Sequence, residues 1–320
     1  MSQLRIAVVG AGGVGGYLGG RLAAAGSRVA FVARGAHLEA LRSRGLTIHS
    51  PDGDLHLPAV EATDDPAAVG PVDIVLFTVK LYDAEAASRA LLPLIGPETA
   101  VIPLQNGVDA VDILARQVGR PHTAGGTVYL AAVVAEPGVV RHSALGHLIF
   151  GELGRVRSDR LERFLEACRP AGFQVTLSAD VRVDIWTKFI RLSVFSGMTA
   201  VTRCSIGPIV EDPDLLEMVK AGSREAMAVA RAKGIAVPDS VVDDVDRAYR
   251  ALPPHMKSSM LEDLERGRRL ELPWLSGAVV RLGRDLGIDT PTHRFIAAVL
   301  APHVRGQTHA MRSAEIAQNS

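Results

Sequence analysis

Gly10-Ala11-Gly12-Gly13-Val14-Gly15 is the stretch of this 320-residue chain whose spacing most directly implies chemistry. It follows an apolar run at residues 5–9 and opens a stretch of helical character at 14–25. In that setting Gly10 permits a tight turn, Gly12 lets a phosphate approach the backbone, and Gly15 lets helix and strand pack closely. Unpaired N–H groups at the positive end of the following helix favour an anion, so the pattern points to a dinucleotide pyrophosphate. A glycine turn without a ligand is the competing reading, and the strand before it and the helix after it weigh against that. At the end of the next β-rich run, residues 28–32, a site for NAD would place an acid on the ribose hydroxyl, yet the chain reads Ala33-Arg34-Gly35. A guanidinium there suits a 2′-phosphate, so the predicted cofactor is NADPH/NADP+. Lys80, at the carboxyl end of the apolar run 73–79, is a second basic candidate, because ligands of parallel sheets bind outside strand carboxyl ends.

Such groups need strands whose carboxyl ends lie together. Apolar runs at 5–9, 28–32, 73–79 and 99–104 alternate with helical stretches near 14–25, 83–92 and 108–117, the rhythm of a doubly wound parallel sheet. Pro51-Asp52-Gly53-Asp54, between 46–50 and 55–60, suggests an inserted hairpin. Strand-like segments at 127–134, 139–142 and 147–150 are expected to extend the sheet with antiparallel strands. After about Ser178 helix formers dominate, through 183–199, 213–233, 240–249, 259–269, 274–286 and 291–301. The predicted class is α/β, with a Rossmann-type doubly wound sheet over residues 1–178 and an all-α domain over 179–320. Residues after about Gly306 read as a loose tail.

Lys plus Arg and Asp plus Glu number 35 each, so no net positive field exists to draw nucleic acid or an anionic membrane surface. With 48% hydrophobic and 22% charged residues the chain can bury a core. Cys168 and Cys204 are its only cysteines, too few for a disulfide scaffold or a cysteine metal site, and they fit a reducing compartment. No uncharged apolar stretch reaches about 18 residues, and the chain runs from Met1 straight into a strand pattern, so a cytoplasmic location is expected. The histidines are scattered without a ligand pattern, and no catalytic metal is expected.

Four patterns then recur in order: Gly10 to Gly15 with Ala33-Arg34-Gly35 and Leu41; Val79-Lys80; Leu104-Gln105-Asn106-Gly107; and Trp186-Thr187-Lys188 followed by Ser258-Ser259-Met260 and Glu271. In that order and spacing the chain resembles the ketopantoate reductase (2-dehydropantoate 2-reductase) family over nearly its whole length. The resemblance implies NADPH-dependent reduction of the ketone of 2-dehydropantoate to pantoate, a step of pantothenate and coenzyme A biosynthesis. It makes Lys188 the catalytic general acid and groups Asn106, Lys188, Ser196, Ser259 and Glu271 about the 2-oxo acid. It also brings Asn106 and Glu271 to the cofactor beside Gly10, Ala11, Gly12, Gly13, Val14, Gly15, Arg34 and Lys80. The chemistry agrees: hydride addition leaves charge growing on the carbonyl oxygen, which a positioned lysine of depressed pKa can protonate. Ser259 could donate to a substrate carboxylate, and Glu271 could accept from a substrate hydroxyl.

Plainer readings stand beside each residue. A lysine on an amphipathic helix is ordinarily solvated, Asn106-Gly107 could be a turn, and Ser259 could cap the helix it begins. The family's usual pattern also has asparagines one and two helical turns after the lysine, where this chain has Leu192 and Ser196. That departure implies a more apolar or roomier pocket and opens the alternative of another branched 2-oxo acid as substrate. A sensor that binds NADPH without turnover is the alternative from another class. Met256, Met260 and Trp274 are candidates for a homodimer contact, with ordinary core packing as the other reading.

Overall fold

Strand β1 (Arg5–Val9) is apolar and buried at every residue after the first, as a strand covered on both faces must be. In chain order there follow α1 (Gly13–Ala24), β2 (Arg28–Val32), α2 (Gly35–Arg44), β3 (Leu46–His49), β4 (Leu55–Leu57), β5 (Glu61–Thr63) and β6 (Val72–Phe77). Next come α3 (Ala84–Arg89), β7 (Ile95–Pro103), α4 (Ala110–Val118), β8 (Gly125–Glu136), β9 (Val139–Gly151), α5 (Asp159–Cys168) and β10 (Gln174–Leu177). The remainder is helical: α6 (Val181–Thr202), α7 (Ile206–Glu211), α8 (Pro213–Ala232), α9 (Val241–Arg250), α10 (Ser259–Glu265), α11 (Ser276–Leu286) and α12 (Pro291–Leu300). This computed structural model describes residues 3–306, and the tail read from the sequence after Gly306 lies outside them. The chain divides into two compact units, Met1–Gln105 with Asp109–Ile185, and Asn106–Val108 with Trp186–Ser320. The division falls within α6, past the change of composition at residue 178.

In the first unit the strands run β5-β2-β1-β6-β7, all parallel, which is the Rossmann-type sheet expected from the apolar runs. Chain order reverses between β1 and β6, the switch point at which such sheets bind ligands. The later strands correct the sequence reading. The hairpin at 46–57 forms as β3 and β4, but with β8, β9 and β10 it builds a second sheet and does not extend the first.

Helix α1 explains the separation, because it packs against strands of both sheets. A Cβ on Gly19 would lie 2.6 Å from Phe31 and 2.8 Å from Val8 in the first sheet, whereas one on Gly20 would lie 2.6 Å from Ile48 and 2.9 Å from Leu46 in the second. Each glycine costs a helix roughly 1 kcal/mol relative to alanine. The helix therefore stands on packing, with Tyr17, Leu18 and Leu22 fully buried.

The second unit is all helix among its described residues, and α6 supplies its buried Phe189, Ile190, Val194 and Met198. Side chains close the helix ends. Asp212 accepts from the amides of Asp214 and Leu215 at the start of α8, both at 2.9 Å. Glu225 of α8 does the same for α12, accepting from Thr292 at 2.8 Å and His293 at 3.0 Å. Met260, a candidate for a subunit contact, is buried within the single chain, while Met256 and Trp274 are half-buried. No described helix is long and apolar enough to cross a membrane.

Candidate active site

The glycine turn lies in the first unit, between β1 and α1. Gly10 has φ +98°, a conformation suited to glycine, and a Cβ there would come within 2.7 Å of the Val79 nitrogen. Thr78, directly after β6, donates its hydroxyl to the Gly10 carbonyl at 2.6 Å, and a Cβ on Gly15 would sit 2.5 Å from that hydroxyl. Both glycines are thus demanded by the packing of the turn, with no ligand needed to explain them. Gly12 is different: a Cβ there would meet nothing within 4 Å, and as the N-cap of α1 it supplies no side-chain cap. Open space beside an uncapped helix start fits a pyrophosphate. Ala11 is buried, Val14 half-buried, and Gly13 abuts the Ala132 carbonyl of β8, leaving no room for a Cβ.

Arg34 is the exposed N-cap residue of α2, and its guanidinium makes no hydrogen bond or ion pair among the described residues. A guanidinium left unpaired after β2 fits a 2′-phosphate. Lys80 is also exposed, at the head of a short 3-10 turn, Leu81–Asp83.

The second unit gathers the other candidates. Lys188, partly exposed on α6, donates from Nζ to Asn106 Oδ1 at 3.0 Å. Burial of the ammonium lowers its pKa, the Glu271 carboxylate pulls the other way, and the balance rests at about 8. Glu271 is 6% exposed and leads into the 3-10 turn Leu272–Trp274. Lys188, Asn106 and Glu271 are therefore brought together. Leu192 and Ser196 follow on the same helix face; Leu192 is half-buried, and the Ser196 hydroxyl is buried with no hydrogen-bond partner.

Ser259 is exposed as the first residue of α10 and is not its cap. That role belongs to Ser258, whose hydroxyl accepts from the Leu261 amide at 3.0 Å and shares a 2.6 Å hydrogen bond with Thr199. Two further residues went unassigned in the sequence: Thr78, and Gln105, which donates to the Phe77 carbonyl at 2.9 Å and ties the end of β7 to that of β6. Among the described residues no group of three or more His, Cys, Asp or Glu side chains is placed to hold a metal ion.

Residues 6–155 match the family model described as Ketopantoate reductase PanE/ApbA, and residues 180–303 match that of its C-terminal part. The chain belongs to the ketopantoate reductase family. A 2-dehydropantoate 2-reductase of Mesorhizobium japonicum is 33% identical, over 93% of this chain and 96% of that protein. The crystal structure of a ketopantoate reductase from Ralstonia eutropha JMP134 superposes with a TM-score of 0.86 at 34% identity, covering 94% of this chain and 98% of that one. An oxidoreductase of Bacillus subtilis, YkpB, is similar at 28% identity over 93% of this chain and 98% of its own length. This reductase is an oxidoreductase of the 2-dehydropantoate 2-reductase type.

Proposed function

We propose that this ketopantoate reductase family member reduces the ketone of a 2-oxo acid to the 2-hydroxy acid with NADPH, acting in the cytoplasm on 2-dehydropantoate to give pantoate. The observation that carries the proposal is the Lys188 ammonium, steered by Asn106 and held at a pKa of about 8. Gly12 and the start of α1 would hold the pyrophosphate, Arg34 the 2′-phosphate, and Lys80 would add a second cation. Bound NADPH supplies the hydride that the carbonyl carbon takes.

As negative charge grows on the carbonyl oxygen, Lys188 Nζ gives it a proton and is left as a neutral amine, which water reprotonates. An ordinary lysine titrates near ~10.4 and parts with its proton reluctantly. One at about 8 is still mostly charged at neutral pH and donates more readily. Glu271 keeps the amine from losing its charge outright, and Asn106 fixes the direction of its proton. Ser259, free of capping duty, would donate to the substrate carboxylate, and the unpaired Ser196 hydroxyl would meet a polar substrate atom.

Loss of NADPH absorbance against a panel of 2-oxo acids tests cofactor and substrate together; absence of turnover with every acid would refute the proposal. Leu192 favours a second reading. A half-buried leucine one turn from Lys188 offers no amide to a substrate hydroxyl, which suits a branched 2-oxo acid with an apolar chain. Preference for 2-dehydropantoate by orders of magnitude in kcat/KM would rule that second reading out.

A further inference from the structure

His37 stands in the first turn of α2, just after Arg34, and its ring joins segments far apart in sequence. Nδ1 accepts a hydrogen bond from the Gly138 amide at 3.1 Å, so it carries no proton and the neutral ring keeps its proton on Nε2. Nε2 is buried and makes no hydrogen bond of good geometry. Burial lowers the pKa of His37, and the backbone of Ala11, in the glycine turn, opposes that effect. A ring nitrogen with no accessible surface cannot touch a nucleotide in this arrangement. His37 therefore acts by holding other groups.

What it holds is the tight turn Pro137–Gly138 between β8 and β9, where Gly138 has φ +82°. The same turn is gripped elsewhere by α2 and β3. Arg44 donates to the Pro137 carbonyl at 3.1 Å, the Thr47 amide donates to the Gly138 carbonyl at 2.9 Å, and a Cβ on Gly138 would lie 3.1 Å from that of Ala40. Along β8 the chain then reaches Ala132, whose carbonyl is pressed against Gly13. The His37–Gly138 hydrogen bond and the Gly13–Ala132 contact, joined by the backbone of α2 and β8, thus make one path from Arg34 to the glycine turn.

We infer that His37 is a positioning residue for the cofactor: through the β8–β9 turn it locks α2, and Arg34 with it, at a fixed spacing from the glycine turn. The inference rests on the assignment of NADPH to that turn. Arg34 and Gly12 would each hold a phosphate of one rigid molecule, so an error in their spacing weakens both contacts at once.

The test uses the full-length protein, with NADPH binding followed by nicotinamide fluorescence alongside steady-state kinetics. His37→Ala should raise both Kd and KM for NADPH about tenfold, the size of one lost hydrogen bond. With saturating NADPH its kcat should stay within about twofold of the parent. His37→Asn places an amide oxygen where Nδ1 was and should recover most of the affinity, whereas His37→Gln, reaching the Nε2 position, should not. This pair remains informative even if the alanine variant does not fold. In an Arg34→Ala background the loss on His37→Ala should shrink, because the group being positioned is gone. Unchanged NADPH binding in His37→Ala, no recovery in His37→Asn, or an equal loss with and without Arg34 would each overturn the inference. Failure of the parent protein to bind NADPH would instead overturn the cofactor assignment beneath it.

Discussion

Each unit of the molecule encloses a charged pair, and the two are built to opposite ends. In the first unit Arg160 grips Glu152 with two parallel hydrogen bonds, Nε to Oε1 at 2.8 Å and Nη2 to Oε2 at 2.9 Å. Ser158 adds a third at 2.6 Å, and the remaining guanidinium arm donates to the Thr99 carbonyl at 3.3 Å. Burial pushes the Glu152 carboxyl up, but Arg160 and Ser158 outweigh it and its pKa falls. In the second unit burial prevails: the Lys188 ammonium is pulled down to about 8 despite Glu271. A pair whose charges are matched to each other fastens a loop, whereas an amine left in imperfect balance has a proton to give. A cavity of about 630 Å³ in the first unit is lined by Glu152 and Arg160, whose charges are already matched to each other.

Removing the amine should break that contrast most sharply. Lys188→Ala is expected to lower kcat by roughly 10²–10⁴-fold while NADPH binding, read by fluorescence, stays unchanged. Opening the matched pair should have the converse result. Glu152→Ala leaves a partly buried guanidinium uncompensated and should cost about 1–3 kcal/mol in denaturant unfolding, with the activity of the folded fraction preserved. Arg34→Ala is expected to raise KM for NADPH roughly 10- to 100-fold, the worth of a charge-assisted contact to phosphate, and to leave KM for NADH nearly unaltered. The smallest effect sharpens the electrostatics. Because Glu271 raises the Lys188 pKa, Glu271→Gln should move the alkaline limb of the pH–rate profile to lower pH.

Much of the first unit was legible because buried parallel strands are continuous apolar runs, and β1, β2, β6 and the second half of β7 follow that rule. The partition into two sheets was not. It depends on the second glycine face of α1, where Gly16 and Gly20 meet Val140, Leu46 and Ile48, and in the sequence those glycines look only like a poor helix. Helix α5 went unread although Leu161, Phe164 and Cys168 have helical spacing and are buried, since it lies between strands. At the site, the glycine turn and Arg34 are local patterns and could be read directly. Lys188 and Asn106 are 82 residues apart and meet only in the fold, so the resemblance to a family, not spacing, pointed to them. Thr78 and His37 belong to no local motif. Their roles come from contacts with Gly10 and Gly138, which only the folded chain supplies.

The most direct test is the pH dependence of kcat/KM for NADPH-driven reduction of 2-dehydropantoate, measured on the parent enzyme and on Lys188→Ala. The protonated amine is the acid, so the parent rate should hold below its pKa and fall as pH rises through about 8. The variant should be slow and flat over that range. If Lys188→Ala keeps the same alkaline limb, some other group titrates there, and Lys188 is not the proton donor.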